Sequence, residues 1–451
     1  MLSPTIQMDS PNEPILLYDN VAIVRYDRYE MRAVVQIYQS WFPYDRVEFK
    51  FSLSSIPAVW LDLVLDALNK NVEIQINHDW TWVGVLYGIK EVDEGVTFTG
   101  SVRTQIVIST STLTNNIKMV DFSLFNFRTY AGSKIETALN SGRLGELKFA
   151  TTDHSLIIHS IKSEAAQKEE QKSVGGYLLT NSGRIEFKDE CSPERSKFLL
   201  RRLGVFLSFL NGRRSYPRYI KAYNDKHELL WEDYTPYLVS QYKHVLSWMP
   251  SLIKEKEMTH LWSNFLSITN SDQSLEKIDL IIHWYLEALN NSGFTKGSIL
   301  MVQTTFEILY SWLVEEKKMV IPYTNKNQHR ASNKIRTLLK HFELHLGLPK
   351  VASDLVADIR LLDKEGNEKV PPHDFSYWYT EIRNLFVHFS EIDSINRKKL
   401  PKLFDWYLLN TAIFNLEVIL LKMMDYNGSI TSRLQLFERK GTKQVHISSP
   451  Y

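Results

Sequence analysis

The stretch YTEIRNLFVHFS, residues 379–390, carries an arginine, an asparagine and a histidine inside an otherwise apolar helical run. Histidine can take up and release a proton near neutral pH, because its ordinary pKa lies in that range. Arginine presents a rigid cationic fork that suits a phosphate group. Arg383 and His388 could therefore cleave a phosphodiester without a metal, with the histidine as general base or acid and the arginine stabilising charge on phosphorus.

Ideal helix geometry, which turns about 100° per residue, divides this segment into two faces. The core face is predicted to contain Ile382, Leu385, Phe386 and Phe389. The opposite, polar face is predicted to contain Glu381, Arg383, Asn384 and His388. Because Asn384 lies four residues before His388, we expect its amide to hydrogen-bond the imidazole and select the tautomer. The alternative is an amphipathic helix whose polar face is merely solvated.

A basic run, NRKKLPK at residues 396–402, follows soon after this segment. The default interpretation is a solvated turn, and the alternative is a contact with phosphate. Its position just after His388 keeps the second interpretation open. Lys398 and Lys399 are accordingly the candidate RNA-binding residues.

A histidine pair four residues apart, His341 and His345, could bind zinc if a third ligand were present. The sequence offers no evident third ligand, so a surface or capping role is favoured. The single cysteine, Cys191, excludes a thiolate cluster and a disulfide within the chain. We therefore expect neither a metal nor another cofactor.

The whole chain has 451 residues and a formal net charge of +1. That length predicts two or three domains, and that charge requires any nucleic-acid binding to come from a local patch. The apolar stretch LFDWYLLNTAIFNLEVILLKMM contains several polar residues, so it predicts a buried core helix. Without a recognisable secretion signal, the chain is expected to be cytoplasmic and to have no membrane partner.

The secondary structure that positions these residues is predicted to change from strands to helices along the chain. Segments such as RVEFKFSL alternate apolar and polar residues, which predicts an antiparallel sandwich or open barrel within residues 1–160. A helix beginning near Pro57 is predicted inside it. Residues 162–173 are interpreted as an exposed connection, and GYLLTNSGRIEF as a strand pair turning at NSG. From about residue 194 the spacing becomes helical, with the last helices predicted at 375–390 and 399–425.

The segment RNLFVH fits R-x4-6-H with an asparagine after the arginine, and in this it resembles the signature of HEPN domains. Upstream, IIHWYLEALNNS and GSILMVQTTFEILYSWLVEE resemble the first two long helices of HEPN domains in ApeA-like anti-phage proteins. The resemblance covers about residues 175–425 and is strongest over 275–395.

The resemblance implies an α+β multidomain protein with an N-terminal antiparallel β-rich domain and an all-α HEPN helical-bundle domain. The corresponding boundaries are 1–160, a linking segment at 175–270, the HEPN domain at 271–425 and a tail at 426–451.

It further implies a metal-independent endoribonuclease that cleaves single-stranded or transfer RNA as a toxin in abortive-infection defence against phage. Arg383 and His388 would be the catalytic pair, with Asn384 the common polar residue after the arginine. The HEPN domain would form a homodimer, and the β-rich domain would sense a phage-derived trigger or restrain the nuclease. The alternatives are a non-catalytic HEPN scaffold and a ligand-sensing binding module.

Overall fold

The chain folds into two compact units, one of residues 1–204 with 215–243 and one of residues 205–214 with 244–451. The predicted linking segment, 175–270, is thus divided between them. The computed structural model describes residues 2–26, 29–53, 71–77, 80–92, 95–102, 107–109, 116–128, 145–162, 164–250, 253–290, 295–323, 327, 329–434 and 443–447. The helix expected near Pro57 lies outside these described residues.

The first unit begins with a closed antiparallel barrel of strand order β1-β2-β3-β6-β5-β4, in which β1 also pairs with β4. The prediction of an antiparallel β-rich N-terminal region is confirmed, and the architecture is a closed barrel. Its strands are β1 (Ile15–Tyr26), β2 (Tyr29–Ser40), β3 (Arg46–Leu53), β4 (Asn71–Asn77), β5 (Trp80–Val92) and β6 (Gly95–Val102).

Alternating side chains fill the barrel interior. Val47, Phe49 and Phe51 of β3 are all buried, which is the period of two that predicted the strand. Gly84 and Gly100 face the ring of Phe49, where a Cβ would approach its atoms to 2.4 and 2.2 Å. These two positions therefore require glycine to admit the ring.

A seven-stranded antiparallel sheet follows, with strand order β7-β13-β12-β8-β11-β10-β9. Its strands are β7 (Val107–Ser109), β8 (Ile117–Phe125), β9 (Glu146–Ala150), β10 (His154–Ser160), β11 (Leu179–Cys191), β12 (Arg218–Tyr223) and β13 (Leu229–Asp233).

The prediction of a strand pair turning at NSG is wrong, because these residues lie inside the single strand β11. Gly183 pairs with Phe122 of β8. A Cβ at Gly183 would approach the Phe122 ring to 2.2 Å. The glycine thus allows a close ring contact in a central strand and does not turn the chain.

Residues 162–173, expected to be an exposed connection, include most of helix α1 (Glu164–Val174). Its buried residues are polar glutamines. Gln167 donates to the carbonyl of Thr180 at 2.9 Å, and Gln171 donates to the side chain of Asn126 at 3.3 Å. Because hydrogen bonds compensate their burial, this helix packs without the apolar face on which sequence patterns depend.

The second unit is mainly helical, as predicted for the later part of the chain. Its helices include the end of α2 (Pro193–Asn211), then α3 (Glu255–Ile268), α4 (Asp272–Asn290), α5 (Thr295–Tyr310), α6 (Ala331–His341), α7 (Lys350–Val356), α8 (Phe375–Val387), α9 (Glu391–Lys399) and α10 (Phe404–Met423). A π-helical segment, Ser311–Glu316, continues α5. Two short hairpins complete it: β14 (Leu361–Leu362) with β15 (Glu368–Lys369), and β16 (Ser429–Ser432) with β17 (Lys443–His446).

Helix α10 forms the centre of the second unit. By length and composition it could span a membrane, but 83% of its most apolar window is buried inside the fold. A core helix of a soluble protein has this environment, as the sequence predicted; the cytoplasmic location stays a prediction. The buried carboxylate of Glu417 on α10 accepts hydrogen bonds from Tyr285 at 2.7 Å and from Nη2 of Arg433 at 2.8 Å.

Candidate functional site

Helix α8 is held in place by its N-terminus and by its core face. Asp374 caps the helix by accepting a hydrogen bond from the Tyr377 N–H at 2.7 Å. Arg336 of α6 donates to both carboxylate oxygens of Asp374, at 2.8 and 3.2 Å. Ile382 and Leu385 are buried, as predicted for the core face. These contacts fix the position of the helix and of its polar face.

The helix ends earlier than the sequence predicted, at Val387. His388 has extended backbone angles, φ −101° and ψ 147°, and its N–H donates to the Asn384 carbonyl. Ser390 then caps α9 in a reciprocal capping box with Asp393. The S-x-x-D pattern that starts α9 explains why α8 cannot continue to residue 390.

The early helix end changes the surroundings of Phe389 as well. Ideal geometry placed this ring in the core, but Phe389 is 79% exposed. That prediction was wrong because it extended helical rotation through residues that are not helical. The outcome is an exposed aromatic side chain at the residue that follows His388.

Asn384 contacts the arginine rather than the histidine. Nη1 of Arg383 donates to Oδ1 of Asn384 at 3.1 Å, and both side chains are half-buried. His388 is exposed, and no side-chain hydrogen bond links it to Asn384 in the described part of the chain. The expected amide–imidazole contact is therefore not formed, and the asparagine instead orients the guanidinium.

The basic run belongs largely to α9 and is not the solvated turn that was expected. Lys398 is exposed, whereas Lys399 is 3.5 Å from the carboxylate of Glu368. Arg397 places its guanidinium carbon 4.8 Å from the ring centroid of Phe389. Sequence reasoning did not identify Arg397 or Phe389 as site residues. The only signal for them in the sequence is that a basic residue follows an aromatic one by eight positions.

The β14–β15 hairpin contacts both α8 and α9. Asn396 of α9 accepts from the Leu362 N–H at 2.8 Å and donates to the Leu362 carbonyl at 2.9 Å. Lys369 lies 3.8 Å from Glu381 of α8. Burial alone would lower the pKa of Lys369, but the charge of Glu381 and the interaction with Tyr377 together outweigh burial and raise the pKa. The hairpin thereby fixes the positions of the two helices that carry the candidate residues.

We call the exposed or half-buried set Arg383, His388, Phe389, Arg397 and Lys398 the α8–α9 surface. The structure brings Arg397 to Phe389 and places Arg383 against Asn384. Lys399 pairs with Glu368, so it is a weaker candidate than Lys398 for binding an external group. The surface can therefore offer a proton-transferring imidazole, two guanidinium groups and one aromatic ring to a ligand.

The two histidines of the pair His341 and His345 have different surroundings. Nδ1 of His345 accepts from the Gly347 N–H at 3.2 Å, which is a local capping contact. His341 lines a cavity at the end of α6. Among the residues that the structure describes, no three His, Cys, Asp or Glu side chains cluster closely enough to hold a metal.

Comparison with known families corrects the suggested resemblance. Residues 113–245 match the YopA central domain, and residues 271–445 match the YopA C-terminal domain. The identification with HEPN domains and with ApeA-like proteins was therefore wrong. Its signature fixes only an arginine and a histidine, and in this fold the histidine lies beyond the end of the helix.

The expectations of anti-phage defence and of a phage-derived trigger depended on that resemblance and lose their basis with it. The homodimer stays a prediction. No curated protein and no solved structure matches this chain significantly. Two successive regions of the chain, which include most of the sheet and nearly all of the second unit's helices, are thus similar to the central and C-terminal domains of YopA.

Proposed function

We propose that the α8–α9 surface binds single-stranded RNA and that the protein cleaves it without a metal. The observation that carries this proposal is the exposure of His388 between the half-buried Arg383 and the exposed Phe389, with Arg397 against the ring. Arg383 of α8 lies five residues before His388, and Arg397 of α9 contacts the ring of the residue that follows His388.

The proposed reaction uses the 2′-hydroxyl of RNA as its nucleophile. His388 removes the proton of the 2′-hydroxyl, whose oxygen attacks the adjacent phosphorus. The bond from phosphorus to the 5′-oxygen breaks as that oxygen takes a proton from water, and His388 then returns its proton to solvent. Arg383 neutralises charge on the phosphoryl oxygens, and Asn384 is the positioning residue for its guanidinium. The products are a 2′,3′-cyclic phosphate and a 5′-hydroxyl.

A single strand fits this surface better than a duplex. An exposed aromatic ring can stack on an unpaired base, whereas the bases of a duplex are already stacked on one another. Arg397 and Lys398 supply charge for the phosphate backbone. This local charge is needed because the net charge of the chain is only +1.

The direct test compares wild type with His388→Ala on single-stranded RNA in EDTA. We expect the wild type to leave 2′,3′-cyclic phosphate ends and the variant to be slower by about 100-fold or more, because a general base is lost. His244→Ala, which also removes an exposed histidine of the second unit, is the matched control and should cleave normally.

Unchanged cleavage by His388→Ala would overturn the catalytic proposal. RNA binding by a wild type that cleaves nothing would instead favour a non-catalytic binding surface, the second candidate function. Stability should be the same in all three proteins, because an exposed side chain contributes little to folding.

A further inference from the structure

The second unit contains a cavity of about 390 Å³ at one end of its helices. Its walls come from the ends of α3, α6 and α10, the start of α4 and the π-helical segment. Small-molecule sites in proteins typically measure roughly 300 to 1,000 Å³. The cavity is thus large enough for a ligand, and nothing in the family matches assigns one.

The inner wall of the cavity is apolar. Trp312 and Leu313 of the π-helical segment are buried, and so is Val320 just beyond it. The Lys317 N–H donates to the Trp312 carbonyl at 2.9 Å, the five-residue spacing of a π-helix. The Met319 N–H donates to the Leu313 carbonyl at 2.9 Å, and Met319 is also a lining residue of the cavity.

The ionisable side chains that line the cavity around this apolar wall are all basic. Lys317, His341 and Lys422 line the cavity, and the described lining residues include no carboxylate. Lys422 donates to the Phe342 carbonyl at 2.7 Å, which holds its ammonium group at the wall. Lys317 is exposed, so its charge lies towards solvent. An apolar interior with a basic opening is complementary to a molecule with an apolar body and one negative charge.

We propose that this cavity binds a small anionic amphiphile, that is, an apolar chain or ring carrying a single acidic head group. The apolar body lies against Trp312, Leu313 and Val320, and the head group lies near Lys317. The site involves no residue of the α8–α9 surface, so the proposal is independent of RNA cleavage.

The test is isothermal titration calorimetry of the full chain with three probes of similar unbranched chain and different head group: decanoate, decanol and decyltrimethylammonium. We expect saturable binding of decanoate, weaker binding of decanol and the weakest binding of the cation. Decyl phosphate, titrated in parallel, distinguishes a carboxylate from a phosphate as the preferred head group.

Three variants locate the binding. Lys317→Glu should weaken decanoate binding by about tenfold, because attraction becomes repulsion. Lys318→Glu makes the same charge change at the next residue, which does not line the cavity, and should leave binding unchanged. Ser267→Trp, at an exposed position of the lining, should obstruct binding by its bulk, and thermal denaturation verifies that each variant is folded.

Decanol binding as tight as decanoate binding would overturn the role of charge. Equal loss in Lys317→Glu and Lys318→Glu would place the ligand elsewhere. Absence of saturable decanoate binding by the wild type would overturn the site itself.

Discussion

Exposure of single side chains distinguishes the candidate site from the core around it. Ile382 and Leu385 occupy the buried positions that helical spacing predicts, whereas Phe389 is 79% exposed. Single exposed apolar side chains are common on protein surfaces, so it is the contact with Arg397 and the sequence neighbour His388 that make Phe389 a candidate to bind a ligand. In the proposed function that ligand is an RNA base.

Replacing Phe389 should therefore weaken RNA binding selectively. Base stacking on an aromatic ring contributes about 1–3 kcal/mol, so Phe389→Ala should raise the Kd for single-stranded RNA by about tenfold. Phe389→Trp should bind at least as well as wild type. Fluorescence anisotropy with a labelled oligonucleotide measures both, and a duplex of the same sequence should respond little.

Val370→Ala is the matched control, because Val370 is also an exposed apolar residue of the second unit. An equal effect of Phe389→Ala on single strand and duplex would argue against stacking.

Strands and helices were predictable from the sequence where the buried residues recur with the spacing of a strand or a helix. The alternation in RVEFKFSL correctly predicts β3, and apolar helical spacing correctly predicts α4 and α10. The failures occur where tertiary contacts override local preference. Gly183 resembles a turn residue but admits the Phe122 ring, and α1 packs through hydrogen-bonded glutamines.

A buried ion pair joins the segment after β16 to α10. Burial alone would lower the pKa of Arg433, but the charge of Glu417, the hydrogen bonds to it and the nearby Tyr285 together raise that pKa. The pKa of Tyr285 is raised first by burial and then by the charge of Glu417. The guanidinium thus stays charged, and the phenol stays a donor to the carboxylate. None of these partners is close in sequence, so periodicity could not predict the cluster.

Removing one partner of this pair should be costly. Arg433→Met leaves the Glu417 charge buried without its cation, and we expect unfolding to become easier by about 3–5 kcal/mol. Urea unfolding followed by circular dichroism measures the loss. The double variant Arg433→Met/Glu417→Leu should recover part of the stability, and a double variant no more stable than Arg433→Met would contradict this explanation.

The stability of the whole molecule should depend on pH through His154 in the first unit. Burial lowers the pKa of this imidazole to about 4, from its ordinary value of 6.5. The unfolded chain therefore binds the proton more tightly than the folded chain. The contribution of His154 to stability is present above pH 6.5 and is lost as the pH falls from there towards 4.

The expected loss over that interval is on the order of 2–3 kcal/mol. It can be measured as the difference in unfolding free energy between wild type and His154→Asn at pH 7 and at pH 4. His244→Asn, an exposed histidine, should follow the wild type at both pH values. A wild type and His154→Asn pair with the same pH dependence would refute this assignment.

The organisation of the molecule was only partly predictable from its sequence. A β-rich beginning and a helical continuation were predicted, but a six-residue motif suggested the wrong family. The cavity of the second unit was not predicted, because Trp312, His341 and Lys422 come from three separate segments. Candidate residues can be read from one stretch, whereas a cavity exists only after distant stretches have packed together.

Closure of the barrel by the pairing of β1 with β4 limits how another protein can associate with this part of the chain. An open sheet can recruit a partner strand through the backbone groups of its outermost strand, and can aggregate in the same way. In the barrel, Ile23, Val24 and Arg25 of β1 pair with β4, so the backbone groups of this part of β1 are used within the fold. A partner can still contact the exposed side chains of Leu16, Val21 and Val34, and recognition through them would be specific to this sequence.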